Sequence, residues 1–139
     1  KEEWQYIIEK RDNAEELLAV AQINGVNGVI LLPDDWTCPS GVTFKSGFDD
    51  DYCTECYANY QTVSESDWAT LEASGAVFLP AAGLRDGSDL YGVQNYGYYS
   101  SATEGKDSST YYLRFYSDES GMHTNYRSYG RSVRLVKDN

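Results

Sequence analysis

Histidine occurs once in these 139 residues, as His123. That scarcity excludes most nucleophile–histidine triads unless His123 is itself the base. No Gly-x-Ser-x-Gly elbow surrounds a serine, and Ser100 and Ser101, the candidates beside strand-like sequence, lack that turn. Neither a phosphate loop nor a dinucleotide fingerprint is formed by the glycines. Positive charge is scarce as well: 11 Lys and Arg stand against 22 Asp and Glu, a formal net charge of -11. Binding a phosphate backbone needs a basic patch, so nucleic acid is not an expected partner. Long apolar runs are missing. The longest is centred on Val29-Ile30-Leu31-Leu32, far below the roughly 20 residues that span a bilayer, so no membrane insertion by this domain is expected. No signal-peptide pattern is visible and Lys1 follows no Met start, so the chain is expected to be the C-terminal part of a longer protein.

Cysteine is sparse too, at Cys38, Cys53 and Cys56. Cys53-Thr54-Glu55-Cys56 is a CxxC, which can hold a metal, perform redox chemistry or close a small disulfide. Cys38 and His123 could complete four zinc ligands, but there is no second CxxC or CxxH. No apolar strand precedes the CxxC, as thioredoxin-type chemistry would need. A loop disulfide or plain thiols is the favoured reading. The acidic runs Asp34-Asp35 and Asp49-Asp50-Asp51 lack the alternating spacing of a calcium loop and read as solvated turns. No metal and no cofactor are therefore expected.

What is present organises into one domain, residues 1–139, of α+β class with two early helices and a small antiparallel sheet carrying long loops. Glu2 to Arg11 has helical spacing, with Trp4, Ile7, Ile8 and Arg11 on one face and acids leading bases. A second short helical stretch is expected over Ala14 to Leu18. Asn24-Gly25 separates Ala19–Ile23 from an apolar run ending at Leu32, a strong hairpin signal. Residues 34 to 62 read as a long loop, a feature often functional. Ser64 caps a helix through Trp68 and Leu71 that Gly75 ends, and a buried strand follows over Ala76–Pro80. Beyond Gly83, strands are expected over Gly97–Ala102, Thr110–Tyr116, Met122–Tyr126 and Ser132–Val136. Alternation puts Leu113, Phe115, Val133 and Leu135 inward, with Met122, and leaves Tyr112, Arg114 and Tyr116 on the opposite face.

Residues 91 to 129 hold nine of the chain's 13 tyrosines, with seven serines. Tyr supplies large, rigid, amphipathic contact area and Ser, Asn and Gly supply adaptable hydrogen bonding, the composition of a paratope. Tyr is also a good strand former, so one solvated sheet face is the plainer explanation. Against it, a face of Tyr91, Tyr96, Tyr99, Tyr112, Tyr116, Tyr126 and Tyr129 costs solubility unless something binds there. Asn95, Arg114, His123 and Asn125 lie among these rings in the chain and complete the candidate ligand-binding set. No catalytic residue is assigned.

Four ordered segments, "NGVNGVILLPDDW", "GAVFLPAAGLRDG", "YGYYSSAT" and "GRSVRLV", resemble the Fibrobacter-type major paralogous domain (FISUMP) and its relatives in surface proteins of gut bacteria. The resemblance runs from about Trp4 to Val136. It implies a C-type lectin-like fold, in the broad group that includes the formylglycine-generating enzyme. One subset of that group is diversified by retroelements, which copy adenines with errors and turn Asn codons into Tyr, Ser, Asp, His and others. Residues 89–129 resemble such a variable region in position and composition. What the resemblance implies is a variable, non-enzymatic adhesin or receptor-binding tip, with a protein or glycan receptor on another cell. The implied location is extracellular, on a bacterial cell surface or pilus tip, or on a phage virion. A structural module of a surface or fibre protein, or a formylglycine-type enzyme relative, is the alternative. The family usually reads Tyr-Trp-Ser-Ser where this chain has Tyr98-Tyr99-Ser100-Ser101. Tyr99 then stands in the tryptophan position, either in a repacked core or on the exposed face.

Overall fold

The computed structural model describes residues 1–47, 60–117 and 119–134. Cys53, Cys56, the acidic run at 49–51, Leu135 and Val136 lie outside the described residues. The chain is α+β, dominated by sheet.

The N-terminal helix α1 (Glu2–Gln5) runs on in wider π turns over Tyr6–Lys10. The expected face is the one that packs: Ile8 is buried in the core, with Trp4 and Ile7 against it. Arg11 follows and is also buried. The second early helix is not formed. Asn13 takes φ 56, and its carbonyl accepts from the N–H groups of Glu16 and Leu17, a single turn before the chain extends at Leu18. Asn tolerates that left-handed backbone, and the apolar run Leu17–Ala21 pulls the chain straight into the sheet.

Strands β1 (Leu18–Ile23) and β2 (Val26–Leu31) form the expected hairpin. Both residues of its two-residue loop, Asn24 (φ 49) and Gly25 (φ 78), are left-handed, the backbone that Asn-Gly adopts at least cost. Strand β3 (Gln61–Val63) adds in parallel to β1, and β4 (Val77–Pro80) adds antiparallel to β2, giving the order β3-β1-β2-β4. Between them lies α2 (Glu65–Ala73), whose N-cap Ser64 Oγ accepts from the Asp67 N–H at 3.1 Å. Gly75 ends it at φ 93.

Both faces of this sheet are covered. On one side Leu17, Ala21, Ile23, Ile30 and Leu32 pack with Leu71 of α2. On the other Leu18, Val20, Val29 and Leu79 pack with Ile8, Tyr99, Leu113 and Phe115. Central strands buried on both faces read as continuous apolar runs, which is why 17–21 and 29–32 carry so little polarity.

The second half forms a hairpin of β5 (Leu84–Asp86) and β6 (Asp89–Tyr91), then a meander of β7 (Gly97–Glu104), β8 (Ser109–Phe115) and β9 (Ser120–Tyr126). The segment 92–96 is tied to the first hairpin by Gln94, whose Oε1 accepts from the Asn27 N–H at 2.8 Å. The last described stretch is not the clean inward strand expected. Gly130 exchanges both backbone hydrogen bonds with Arg85, and Ser132 bonds Tyr98 and Ser100. Among the described residues pairing goes no further. Val133 is 67% exposed rather than inward, because Ser132 is the one residue here in register with β7.

Candidate functional site

The register of the three-stranded sheet separates two sets of side chains. Tyr99 lies opposite Leu113, and Leu113 opposite Met122. These point into the core, and Met122 packs there as expected. Tyr98 lies opposite Arg114, Ser100 opposite Tyr112, and Tyr112 opposite His123. These form the outer face, since strand neighbours alternate.

Tyr99, a residue of the candidate ligand-binding set, therefore does not reach the outer face. It is 4% exposed, stacks on Phe115 at 5.9 Å between ring centroids, meets Trp4 edge-on, and donates its hydroxyl to the Pro80 carbonyl at 2.9 Å. Burial pushes its phenol up to about 12. Of the two places expected for Tyr99, core or exposed face, it takes the core. Tyr112 is on the outer face yet only 7% exposed. The Arg131 guanidinium lies 4.2 Å above its ring, and Tyr98 and His123 flank it at 5.9 and 5.8 Å. Sequence alternation gave its side of the sheet correctly but not its cover.

The outer face is a continuous array of rings. Tyr96 meets Tyr98 at 5.9 Å and Tyr116 at 5.5 Å. Arg114 reaches the Tyr116 ring at 5.7 Å and pairs with Glu119 at 3.5 Å, while the Tyr116 hydroxyl donates to the same carboxylate. Arg131 lies over β8 and the end of β9. It donates to Thr110 Oγ1 at 3.3 Å and to the Tyr126 carbonyl at 3.0 Å, and lies 5.6 Å from the Tyr129 ring. Burial raises the Tyr98 phenol above its ordinary value. His123 is held below the usual imidazole range, first by burial and then by the Arg114 charge, with Glu119 opposing.

Beside this array is a cleft of about 260 Å³ lined by Leu84, Asp86, Tyr91, Asn125 and Tyr129. Leu84 and Asp86 alternate onto one side of β5, and Leu84 pairs with Tyr91 across the hairpin. The Gly130–Arg85 hydrogen bonds hold the hairpin against the turn that carries Tyr129. Tyr126 stands nearby, 62% exposed. Asn95 is exposed in the 92–96 turn, its carbonyl accepting from Tyr60.

The structure thus gathers Tyr91, Asn125 and Tyr129 in the cleft and Tyr96, Tyr112, Arg114, Tyr116 and His123 in the array, and assigns Tyr99 to the core. Sequence reasoning missed Tyr98, which its own alternation against Tyr99 could have found. It missed Leu84 and Asp86, for which no local pattern exists, whereas Arg131 was expected, with Arg134 as the alternative, to brace loops through hydrogen bonds and does so. Cys38 is a free, exposed thiol. Among the described residues no three His, Cys, Asp or Glu side chains are grouped to hold a metal, and no helix is long and apolar enough to cross a membrane.

An α+β domain with an aromatic, arginine-braced sheet face and an adjoining cleft is the class that these features define. The chain belongs to the family described as "Domain of unknown function (DUF8237)", which matches residues 54–136. That span contains β3 to β9, and so both the array and the cleft. No curated protein and no solved structure matches the chain.

Proposed function

We propose that this chain is a non-enzymatic ligand- or receptor-binding domain, an adhesin or receptor-binding tip that meets a protein or glycan on another cell. In this reading the fold is C-type lectin-like, as in FISUMP domains and the variable proteins of diversity-generating retroelements. The domain works outside the cell, on a bacterial surface, a pilus tip or a phage virion. The observation that carries the reading is the gathering of Tyr91, Asn125 and Tyr129 in one cleft, with the exposed Tyr126 next to Asn125 in the chain, beside an ordered Tyr and Arg array.

Charge distribution supports it. Residues 1–83 hold 15 acidic and four basic side chains, whereas residues 84–139 hold seven of each. Five of the six arginines lie in that second part. A charge-balanced surface rich in Tyr and Arg has the makeup of interaction hot spots, and the acidic remainder keeps the domain soluble. One observation favours the structural-module alternative: Tyr96, Tyr98, Tyr112 and Tyr116 contact one another, so packing alone accounts for those rings. It does not account for the exposed Tyr91 and Tyr126.

The test is a binding screen of the purified chain against glycans, matrix proteins and cells. Saturable binding is expected, weakened at least tenfold by Tyr91→Ala or Tyr126→Ala with unchanged melting temperature. Absence of saturable binding throughout would leave the structural module as the better reading.

A further inference from the structure

The polar groups of the cleft have hydrogen-bonding capacity that the fold does not use. Among the described residues, the Asp86 carboxylate and the hydroxyls of Tyr91 and Tyr129 have no hydrogen-bond partner in the chain. Asn125 Oδ1 is taken by the Tyr126 N–H at 2.8 Å, so Asn125 offers its NH2 end, a donor. By contrast Tyr99 and Tyr116 have their hydroxyls engaged. The cleft therefore presents an acceptor, a donor, two phenols that can do either, and the apolar surface of Leu84 and two rings.

The same inventory disfavours anionic ligands. Asp86 faces Asp89 across the β5–β6 pair, which repels an anion. A cation would be drawn to those carboxylates but would leave the Asn125 NH2 donor unsatisfied, with Tyr129 already facing the Arg131 guanidinium at 5.6 Å, and it is the competing occupant that the charged probe below tests. About 260 Å³ lies below the usual range of drug-sized pockets and suits one small ring. An uncharged ring with hydroxyls at its edge and C–H groups on its faces satisfies every group. The hydroxyls bridge Asp86 and Asn125, and a C–H face lies on a phenol. Resting on the binding reading above, we infer that this cleft takes a single uncharged pyranose unit of a glycan, held by Asp86, Asn125, Tyr91 and Tyr129 without a metal ion.

The experiment is an NMR titration of the isotope-labelled chain with methyl glycosides of glucose, galactose, mannose and N-acetylglucosamine, with and without EDTA. Tetramethylammonium and sulfate serve as charged probes. At least one glycoside is expected to saturate with a dissociation constant on the order of 1 mM, the range for so few contact atoms. Shifts should be confined to Leu84, Asp86, Tyr91, Asn125 and Tyr129 and be indifferent to EDTA. Asp86→Ala should weaken binding about tenfold through loss of a charge-assisted hydrogen bond, and Tyr91→Ala should do the same. Glu72→Ala, on the exposed side of α2 and outside the cleft, should leave the glycoside titration unchanged. If Asp86→Ala disturbs the hairpin, the isosteric Asp86→Asn gives the same test with a smaller loss. No saturable shift with any glycoside, loss of binding in EDTA, or preferential binding of either charged probe overturns the inference. Receptor binding that survives such a result would leave the proposed function standing without a sugar subsite, so the two failures can be told apart.

Discussion

Tyr112 and Tyr126 are tyrosines of the same sheet, and substitution should affect them very differently. Tyr112 lies under Arg131 and is 7% exposed, while Tyr126 is 62% exposed. Truncating a buried aromatic to alanine costs about 3–5 kcal/mol, whereas an exposed one away from such packing changes stability by about 0.5 kcal/mol or less. Urea denaturation of Tyr112→Ala and Tyr126→Ala should therefore separate by about 3 kcal/mol. Arg11 makes the second residue-scale prediction. Its guanidinium donates to the Leu32 and Leu17 carbonyls at 2.7 and 3.1 Å and to Asp34 at 3.1 Å, with its side chain 5% exposed. Arg11→Ala removes those donors from two buried carbonyls and should cost about 2–3 kcal/mol in the same assay. Asp34 is held below the ordinary carboxylate range, first by the Tyr6 hydroxyl and then by Arg11. Its contribution is present at neutral pH and fades as pH falls through its folded-state value.

Within the elements, the tightest point is Gly97 at the start of β7. A Cβ there would overlap the ring of Phe115, which is 1% exposed and stacked on Tyr99, so neither ring can move aside freely. Gly97→Ala should destabilise by about 1–3 kcal/mol as overpacking, read from the denaturation midpoint. The elements also mark how far the sequence could be read. Asn24-Gly25 and Ser64 were legible because each solves a local backbone problem with its own residue type: a left-handed loop, an unsatisfied N–H. The strands 97–104, 109–115 and 120–126 were legible from alternation. The turn at 12–17 was not, since Ala14 to Leu18 suits a helix by local preference and only the sheet claims Leu18. Val133 was misjudged for a similar reason: alternation identifies a strand pattern but not where its partner ends. The cover over Tyr112 and the two sides of the cleft depend on residues far apart in sequence, Arg131 with Tyr112 and Asp86 with Asn125, and no window of the chain contains both.

The whole domain is held by a core into which Tyr99 brings a phenol, and this makes its stability sensitive to alkali. An unfolded tyrosine ionises near pH 10, while folded Tyr99 keeps its proton to about 12. The folded state thus binds more protons than the unfolded one between those values. Tyr99's contribution is whole below pH 10 and is lost as pH rises through 10–12. Tyr98 adds in the same direction. Unfolding followed by tyrosinate absorbance and circular dichroism should become steeper in this window, and Tyr99→Phe should flatten the dependence. The same division between core and surface bears on variation, if residues 89–129 are a diversified region. Copying errors at the codon level do not distinguish Tyr99 from Tyr91, but folding does. Side chains in the core tolerate changes of volume poorly. Gly97, Tyr99, Leu113 and Phe115 should accordingly stay constant among copies that express folded protein, and Tyr112 should accept only other flat rings under Arg131. Tyr91, Asn95, Asn125, Tyr126 and Tyr129 should carry the substitutions. Deep sequencing of the gene across a population, after selection for soluble expression, reads this directly. Substitutions spread evenly over core and surface positions alike would contradict the core assignment. A region without substitutions at the exposed positions would mean a fixed surface, leaving the glycoside titration of the Asp86–Asn125 cleft as the remaining test of the binding proposal.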